Sequence, residues 1–266
     1  MLFMNLVRAL WQYRQFVFGS VKREFQLKYR NSMLGAAWTL LQPLAMILVY
    51  ALIFSRVMQA RLPGVDGPFA YSIYLCAGIL AWGMFAEILG RAQNIFLEQA
   101  GLIKKVNFPR MTLPLIVIFS ALVNFLIVFG LFLVFLLVVG QFPGWVILSL
   151  FPVLFIQILV AIGLGMIAGV LNVFFRDVGQ LIVIVLQFWF WLTPIVYPAS
   201  ILPASLRSLL AYNPMAGLIA AWQGVLVTAV APQWFSLLYP ALLGLVLCAF
   251  GFHLFRRRSA EMVDEL

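Results

Sequence analysis

Long apolar runs, broken by short polar and basic stretches, fill the chain between residues 36 and 255. A helix that rises 1.5 Å per residue needs about 20 mostly apolar residues to cross a bilayer core about 30 Å thick. Six runs meet that need: residues 36–55, 70–89, 111–139, 145–171, 181–197 and 234–255. A seventh, residues 215–230, is shorter and sits between two turn signals, Asn213-Pro214 and Ala231-Pro232. The first 35 residues follow a different rule. There Leu6, Leu10, Tyr13, Val17, Val21 and Phe25 recur at three- and four-residue spacing, while Arg8, Lys22, Arg23 and Arg30 lie mostly elsewhere around the helix. Together with Trp11, Tyr13, Phe16 and Phe18, that pattern predicts an amphipathic helix lying in the headgroup layer. Basic residues that merely fix orientation would give the same composition. Arg8, Arg14, Lys22 and Arg23 interrupt every early apolar stretch, so no cleavable signal is expected and the mature chain is expected to start at Met1.

Charge decides how the runs thread. Lys and Arg crowd the cytoplasmic loops of membrane proteins. Six spans with both termini inside would place fourteen of the seventeen basic residues on the inner side, leaving only Arg56, Arg61 and Arg207 outside. A seventh full span would carry Arg256, Arg257 and Arg258 to the outer face, so residues 215–230 read as re-entrant or as lying at the outer interface. Composition agrees: 65% hydrophobic and 9% charged residues are far from the values of about 45–50% and 25% of soluble proteins. The net charge of +9 follows from the basic loops and needs no nucleic acid to explain it. Cys76 and Cys248 both lie within apolar runs, which suits packing residues better than a disulfide framework. The predicted fold is an all-α polytopic membrane protein. It has an amphipathic segment over residues 1–35, six transmembrane helices over residues 36–255, and a tail over residues 256–266. Within it, residues 90–110 form an inner loop and residues 199–232 an outer segment, whose run 215–230 is re-entrant or interfacial.

Little in the chain reads as catalytic. No G-x-x-x-x-G-K-[ST] and no G-x-G-x-x-G occurs, so ATP chemistry through a P-loop must come from another chain. No H-E-x-x-H, G-x-S-x-G or paired-carboxylate pattern is present, which argues against an enzyme; no cofactor or metal is expected. His253, the sole histidine, reads as an interfacial polar residue beside the arginine cluster. Glu87 stands near the inner end of the second span, where an ionisable group is costly unless paired, and Arg91 is four residues on. The two form a structural ion pair or transmit motion. Arg176 and Asp177 make a second opposite pair, read as a solvated loop pair. The loop with Arg91, Glu98, Lys104, Lys105 and Arg110 suits a short helix over residues 94–106, either as an ordinary positive loop or as a docking element for a soluble partner. Gly163, Gly165 and Gly169 should allow close helix approach, and Pro43, Pro194 and Pro198 should kink or end their helices. Tyr71, Tyr74, Trp82, Phe85, Trp189 and Trp191 suit interfacial belts or a channel wall on which sugar rings stack.

Several ordered motifs are more specific. They are Tyr29-Arg30-Asn31-Ser32-Met33-Leu34-Gly35, Leu40-Leu41-Gln42-Pro43, Lys104-Lys105-Val106-Asn107-Phe108-Pro109-Arg110, Asn172-Val173-Phe174-Phe175-Arg176-Asp177-Val178, Trp191-Leu192-Thr193-Pro194-Ile195-Val196-Tyr197-Pro198 and Asn213-Pro214-Met215. Nearly end to end, the chain resembles the permease subunits of type-2 ABC exporters that move O-antigen, capsule or teichoic acid across the bacterial inner membrane. The resemblance implies a half-transporter. Two copies would form the channel and two copies of a separate ATPase would drive it, docking through Glu98, Lys104, Lys105 and Arg110. It also implies an entrance at Lys28, Arg30, Asn31 and Gly35 for an undecaprenyl-diphosphate-linked polysaccharide, and an outer gate after the fifth span. Two other readings remain open: the same architecture exporting teichoic acid, a drug or a small lipid, and a non-transport membrane factor in envelope synthesis.

Overall fold

A computed structural model describes residues 14–28, 35–57, 62–65, 67–101 and 112–265, and every regular element among them is helical. In chain order these are α1 Arg14–Lys28, α2 Trp38–Leu52, α3 Ala70–Ala92, α4 Ile95–Glu98 and α5 Thr112–Val139. They continue with α6 Leu150–Phe174, α7 Asp177–Leu192, α8 Ala204–Leu209, α9 Pro214–Thr228, α10 Trp234–Arg258 and α11 Glu261–Glu265. A 3-10 turn, Gly35–Ala37, leads into α2, and a π-helical turn, Ile53–Val57, ends it. Gly35 stands at φ 52°, a left-handed conformation that costs other residues about 1–2 kcal/mol. That backbone demand explains the glycine closing the Tyr29–Gly35 motif.

Five helices are long and apolar enough to cross a membrane: α2 with its π turn, α3, α5, α6 with its leading 3-10 turn, and α10. These match five of the six expected spans. The other, expected over residues 181–197, is displaced: α7 begins at Asp177 and stops at Leu192. At 16 residues it extends only about 24 Å. Thr193 is why it stops there. The ring of the following Pro194 forces Thr193 out of the helical region, and it sits at φ −108° and ψ 134°. Of the two outcomes expected at Pro43, a kink or an end, the helix does not end there, since α2 runs through it. Lying five residues into the helix, Pro43 costs only one early hydrogen bond, that to the Thr39 carbonyl.

Residues 215–230 form neither a straight span of their own nor a surface helix. Ala204–Tyr212 and Pro214–Thr228 meet at 100°, and α9 then runs back into the bundle. The turn signals explain the bend: the Asn213 side chain accepts a bond from the Met215 N–H at 3.0 Å, with Pro214 opening the helix. At the far end Ala229 adopts φ 52° and terminates it. Met215, Leu218, Ile219, Trp222 and Val225 are buried, which fits a re-entrant element rather than an interfacial one.

The bundle is organised around α3, which is far more deeply buried in the protein than α2 or α5. Helices α5, α6, α7 and α9 all pack on α3, while α6 and α10 lie along one another. Leucines, valines and phenylalanines on the outer faces of α2, α5, α7 and α10 are exposed, as helices in lipid require. Small residues on α6 set two close contacts. A Cβ on Gly165 would stand 2.5 Å from Ala92 Cβ and one on Gly169 would stand 2.7 Å from the Ala92 carbonyl, so this pair seats α3. Gly163 faces the opposite way, where a Cβ would meet the Cys248 backbone nitrogen at 2.8 Å. Because backbone cannot swing aside, Gly163→Ala is expected to lower stability by about 1–3 kcal/mol, read as a lower melting temperature of the purified protein. An unchanged melting curve would show that α6 and α10 are not in this close contact.

Deep in the core Gln157, fully buried, donates to the Ala81 carbonyl at 2.6 Å and accepts from Trp222 Nε1 at 2.9 Å. This single polar side chain joins α6, α3 and α9. Cys76 is buried and Cys248 donates to the Leu159 carbonyl, so both act in packing.

Candidate functional site

Two polar assemblies lie at one end of the bundle and a third at the other. The first is a ring of five side chains from three helices. Arg91, in the last turn of α3, is ion-paired with Glu24 of α1 and, at 3.6 Å, with Glu87 one turn back. Ser120 of α5 donates to Glu24 Oε2 at 3.0 Å, and Asn124, one turn on, donates to Glu87 Oε2 at 2.8 Å. The apolar stripe read in the N-terminal segment supports this ring: Val17 and Val21 are buried and Phe25 packs beside them, holding α1 on α5. Two carboxylates against one guanidinium leave the ring at net −1, with Arg91 placed where a helix C-terminus favours a cation. The Glu87–Arg91 pair was legible in the sequence, but its principal partner, Glu24, was not singled out. One signal marks it, since Glu24 is the only acid among the first 65 residues.

A cavity of about 430 Å³ adjoins the ring and shares Glu87 and Asn124 with it. Its wall is completed by α2, through Trp38, Thr39, Gln42 and Pro43 among others, by α3 around Gly83 and Met84, and by Phe125 and Val128 of α5. Glu98 is exposed and faces a second cleft of about 310 Å³, bounded by Arg23 and Glu24 of α1 and by Arg91 and Ile95. The other expected docking residues, Lys104, Lys105 and Arg110, lie outside the described residues. So do Arg30 and Asn31 of the expected entrance, and the side chain of Lys28.

The second assembly fastens that same end of α3 to α6 and α7. Asn172, 2% exposed, donates to the Gln93 carbonyl and to Asn94 Oδ1, each at 3.0 Å. Its own oxygen accepts from the Gly179 N–H at 2.9 Å. Gly179 is the third residue of α7, the position an N-cap side chain serves, so Asn172 caps α7 from another helix. A side chain at residue 179 would press on Asn172, with a Cβ only 3.1 Å from its Oδ1. Arg176 and Asp177 stand beside this knot, exposed, and make no ion pair among the described residues. Asp177 instead opens α7, where an acid complements the helix dipole. Immediately beyond the knot, Phe96 of α4 stacks on Phe255 of α10 with ring centroids 5.3 Å apart. The short helix α4 is thereby wedged against both α6 and α10.

At the opposite end, residues 193–198 leave the helix and their carbonyls need donors. Non-helical backbone at membrane depth is tolerated only where protein supplies them. Tyr71 donates to the Val196 carbonyl at 2.6 Å, and Tyr74 reaches the Pro194 and Tyr197 carbonyls at 3.1 and 3.0 Å. Gln223 of α9 adds bonds to Pro194 and Ile195 at 3.2 and 3.3 Å, approaching over Gly78, which has no side chain to obstruct it. Gln223 was not anticipated; a lone amide in an apolar helix was the available signal. The structure places most of the six aromatics expected along a channel inside the protomer. Tyr74, Trp82 and Phe85 are buried, and Trp189 packs edge-on against both Trp82 and Phe85. Tyr71 is half-buried, and Trp191, at 59%, is the one well exposed. Tyr74→Phe is expected to cost about 1–3 kcal/mol, because two buried carbonyls lose a donor. Thermal unfolding checks it, with Tyr71→Phe, whose hydroxyl serves one carbonyl, as the milder comparison.

Comparisons with known proteins place this architecture. The profile of the ABC-2 type transporter family matches residues 15–227. The O-antigen export system permease protein RfbA of Myxococcus xanthus is 34% identical over 98% of this chain and 99% of its own length. A protein of the same name from Klebsiella pneumoniae is 29% identical over 92% of each chain. The polysialic acid transport protein KpsM of Escherichia coli is 24% identical over 91% of this chain and 92% of its own. With a multi-pass bundle of apolar helices and a family match covering most of its length, the chain belongs to the ABC-2 type transporter family.

Proposed function

We propose that the chain is the channel-forming permease of an ATP-driven exporter of lipid-linked polysaccharide of the O-antigen kind. The observation that carries this reading is the end-to-end likeness to a permease named for O-antigen export, at 34% identity. In this reading two copies form the channel in the bacterial inner membrane, and two copies of a separate ATPase bind the face carrying both termini. The ATPase engages the loop with Glu98, Lys104, Lys105 and Arg110. Lys28, Arg30, Asn31 and Gly35 receive the diphosphate end of an undecaprenyl-linked glycan, for which cations are apt partners.

The described geometry suggests how force applied at that loop would spread. Helix α4 leads into the loop, and its base is tied in two directions. Through Asn94 and Asn172 it holds the start of α7; through Arg91 and Glu24 it holds α1, the helix before the expected entrance. A pull there would move entrance and span together, while the rigid contact of α3 with α9 carries the displacement to the segment at residues 193–198. No covalent chemistry is asked of this subunit.

Purification of the tagged chain from its own membranes tests the proposal. The expected result is an ATPase of the Walker type in equimolar amount, in an assembly with the mass of two permeases and two ATPases. Recovery with a glycosyltransferase and no ATPase would refute it.

A further inference from the structure

At the end of the bundle away from the Arg91 ring, a cavity of about 470 Å³ opens between the last turn of α7 and the short helices before α9. Its walls include Trp189, Leu192, Tyr197, Leu206, Leu209 and Tyr212. Three of the polar side chains that line it are already committed. Trp189 Nε1 donates to Asn213 at 2.8 Å, the Asn213 amide donates to Thr193 at 3.0 Å, and the Tyr197 hydroxyl donates to the Trp191 carbonyl at 2.6 Å. What remains to a ligand is hydrocarbon wall with few free donors, which suits an alkyl or isoprenoid chain and not a sugar.

A charged side chain stands next to the lining residues Leu202 and Leu206. Arg207 follows Leu206 on α8 and is exposed, its guanidinium steadied by the carbonyls of Ser200 and Leu202 at 2.7 and 3.1 Å. Between Asp177 and Arg256 it is the only charged residue of either sign except for the ionisable His253, so no carboxylate of that stretch can balance it. Tyr212, 76% exposed, stands among the lining residues. A cation held on the carbonyl of Leu202, itself a lining residue, complements an anionic head group whose chain lies inside the cavity, and a guanidinium matches phosphate oxygens in its fork geometry.

We propose that this cavity binds a lipid with a net-anionic phosphate head group, its chain between α7 and α8 and its phosphate on Arg207. Binding does not depend on the export reading, and two sources carry the chemistry: anionic phospholipid of the bilayer and the lipid end of the cargo.

The test uses full-length permease in phosphatidylcholine nanodiscs with diazirine-tailed phosphatidylglycerol, diazirine-tailed phosphatidylcholine or diazirine-tailed polyprenyl phosphate. Labelling of peptides from residues 189–214 is read by mass spectrometry. Phosphatidylglycerol or polyprenyl phosphate should label several-fold above phosphatidylcholine. Arg207→Gln should remove that excess, and Leu206→Trp, which fills the cavity, should lower labelling by all three. Stronger labelling by polyprenyl phosphate assigns the site to cargo, and stronger labelling by phosphatidylglycerol assigns it to the bilayer; both support a lipid with a net-anionic phosphate head group. Equal labelling by phosphatidylcholine, or an excess that survives Arg207→Gln, overturns the proposal. Arg207 is exposed, so its variant decides the matter even where Leu206→Trp disturbs the fold.

Discussion

Arg91→Gln should cut surface polysaccharide by about tenfold or more while leaving the permease in the membrane, because it removes the one cation of a ring that joins three helices. Glu24 and Glu87 would then face each other with no neutralising charge, and hydrogen bonds to charged groups contribute about 1.5–3 kcal/mol each. The loss should appear as uncoupling, with ATP hydrolysis by the assembled complex retained and glycan left on the inner side. Arg91→Lys keeps the charge but loses the fork that reaches two carboxylates, so it should fall between wild type and Arg91→Gln. Glu24→Gln should be milder still, since Glu87 keeps its partner. Full export by Arg91→Gln at normal expression would remove the ring from the coupling route.

Asn172→Ala should destabilise the purified complex by about 2–4 kcal/mol, the combined effect of losing a helix cap and stranding buried backbone and amide groups. Three bonds end on this side chain at 2.9–3.0 Å, and none has solvent to replace it. Asn172→Asp separates the components. It keeps the acceptor for the Gly179 N–H but turns a carboxylate toward the Gln93 carbonyl and Asn94 Oδ1, which are themselves acceptors. If the amide donor matters as the geometry requires, the aspartate does not restore stability. Thermal unfolding together with proteolysis across residues 175–180 reads both effects. A wild-type melting curve for Asn172→Ala would contradict the account of α7 as capped from α6.

These two residues also mark how far the sequence could be read. Hydrophobic run length is a strong signal because a bilayer has a fixed thickness, so α2, α3, α5, α6 and α10 were legible in position and type. Asn213-Pro214 and Ala231-Pro232 likewise announced the bounds of α9 through local turn chemistry. The fifth span was drawn on to residue 197 because apolar composition continues past Leu192, whereas the helix ends before Pro194, one of the prolines read as kinking or ending it. Glu87 and Arg91 were legible as a pair since their spacing lies within one helix. Glu24 and Asn172 join elements distant in the chain, at 67 and 79 residues' separation, and no local pattern encodes such a contact. The same limit affected the aromatics. Their abundance is visible in the sequence, but helix rotation decides which face lipid or core, and that is how Tyr71 and Tyr74 came to serve the carbonyls of residues 193–198.

The most direct measurement of the central claim is the distribution of glycan across the membrane when this chain is deleted. Surface polysaccharide and inner lipid-linked polysaccharide are quantified in parallel, with and without a plasmid copy. The account predicts loss outside and accumulation inside, both reversed by the plasmid. Unchanged surface polysaccharide, or loss from both compartments together, would contradict it.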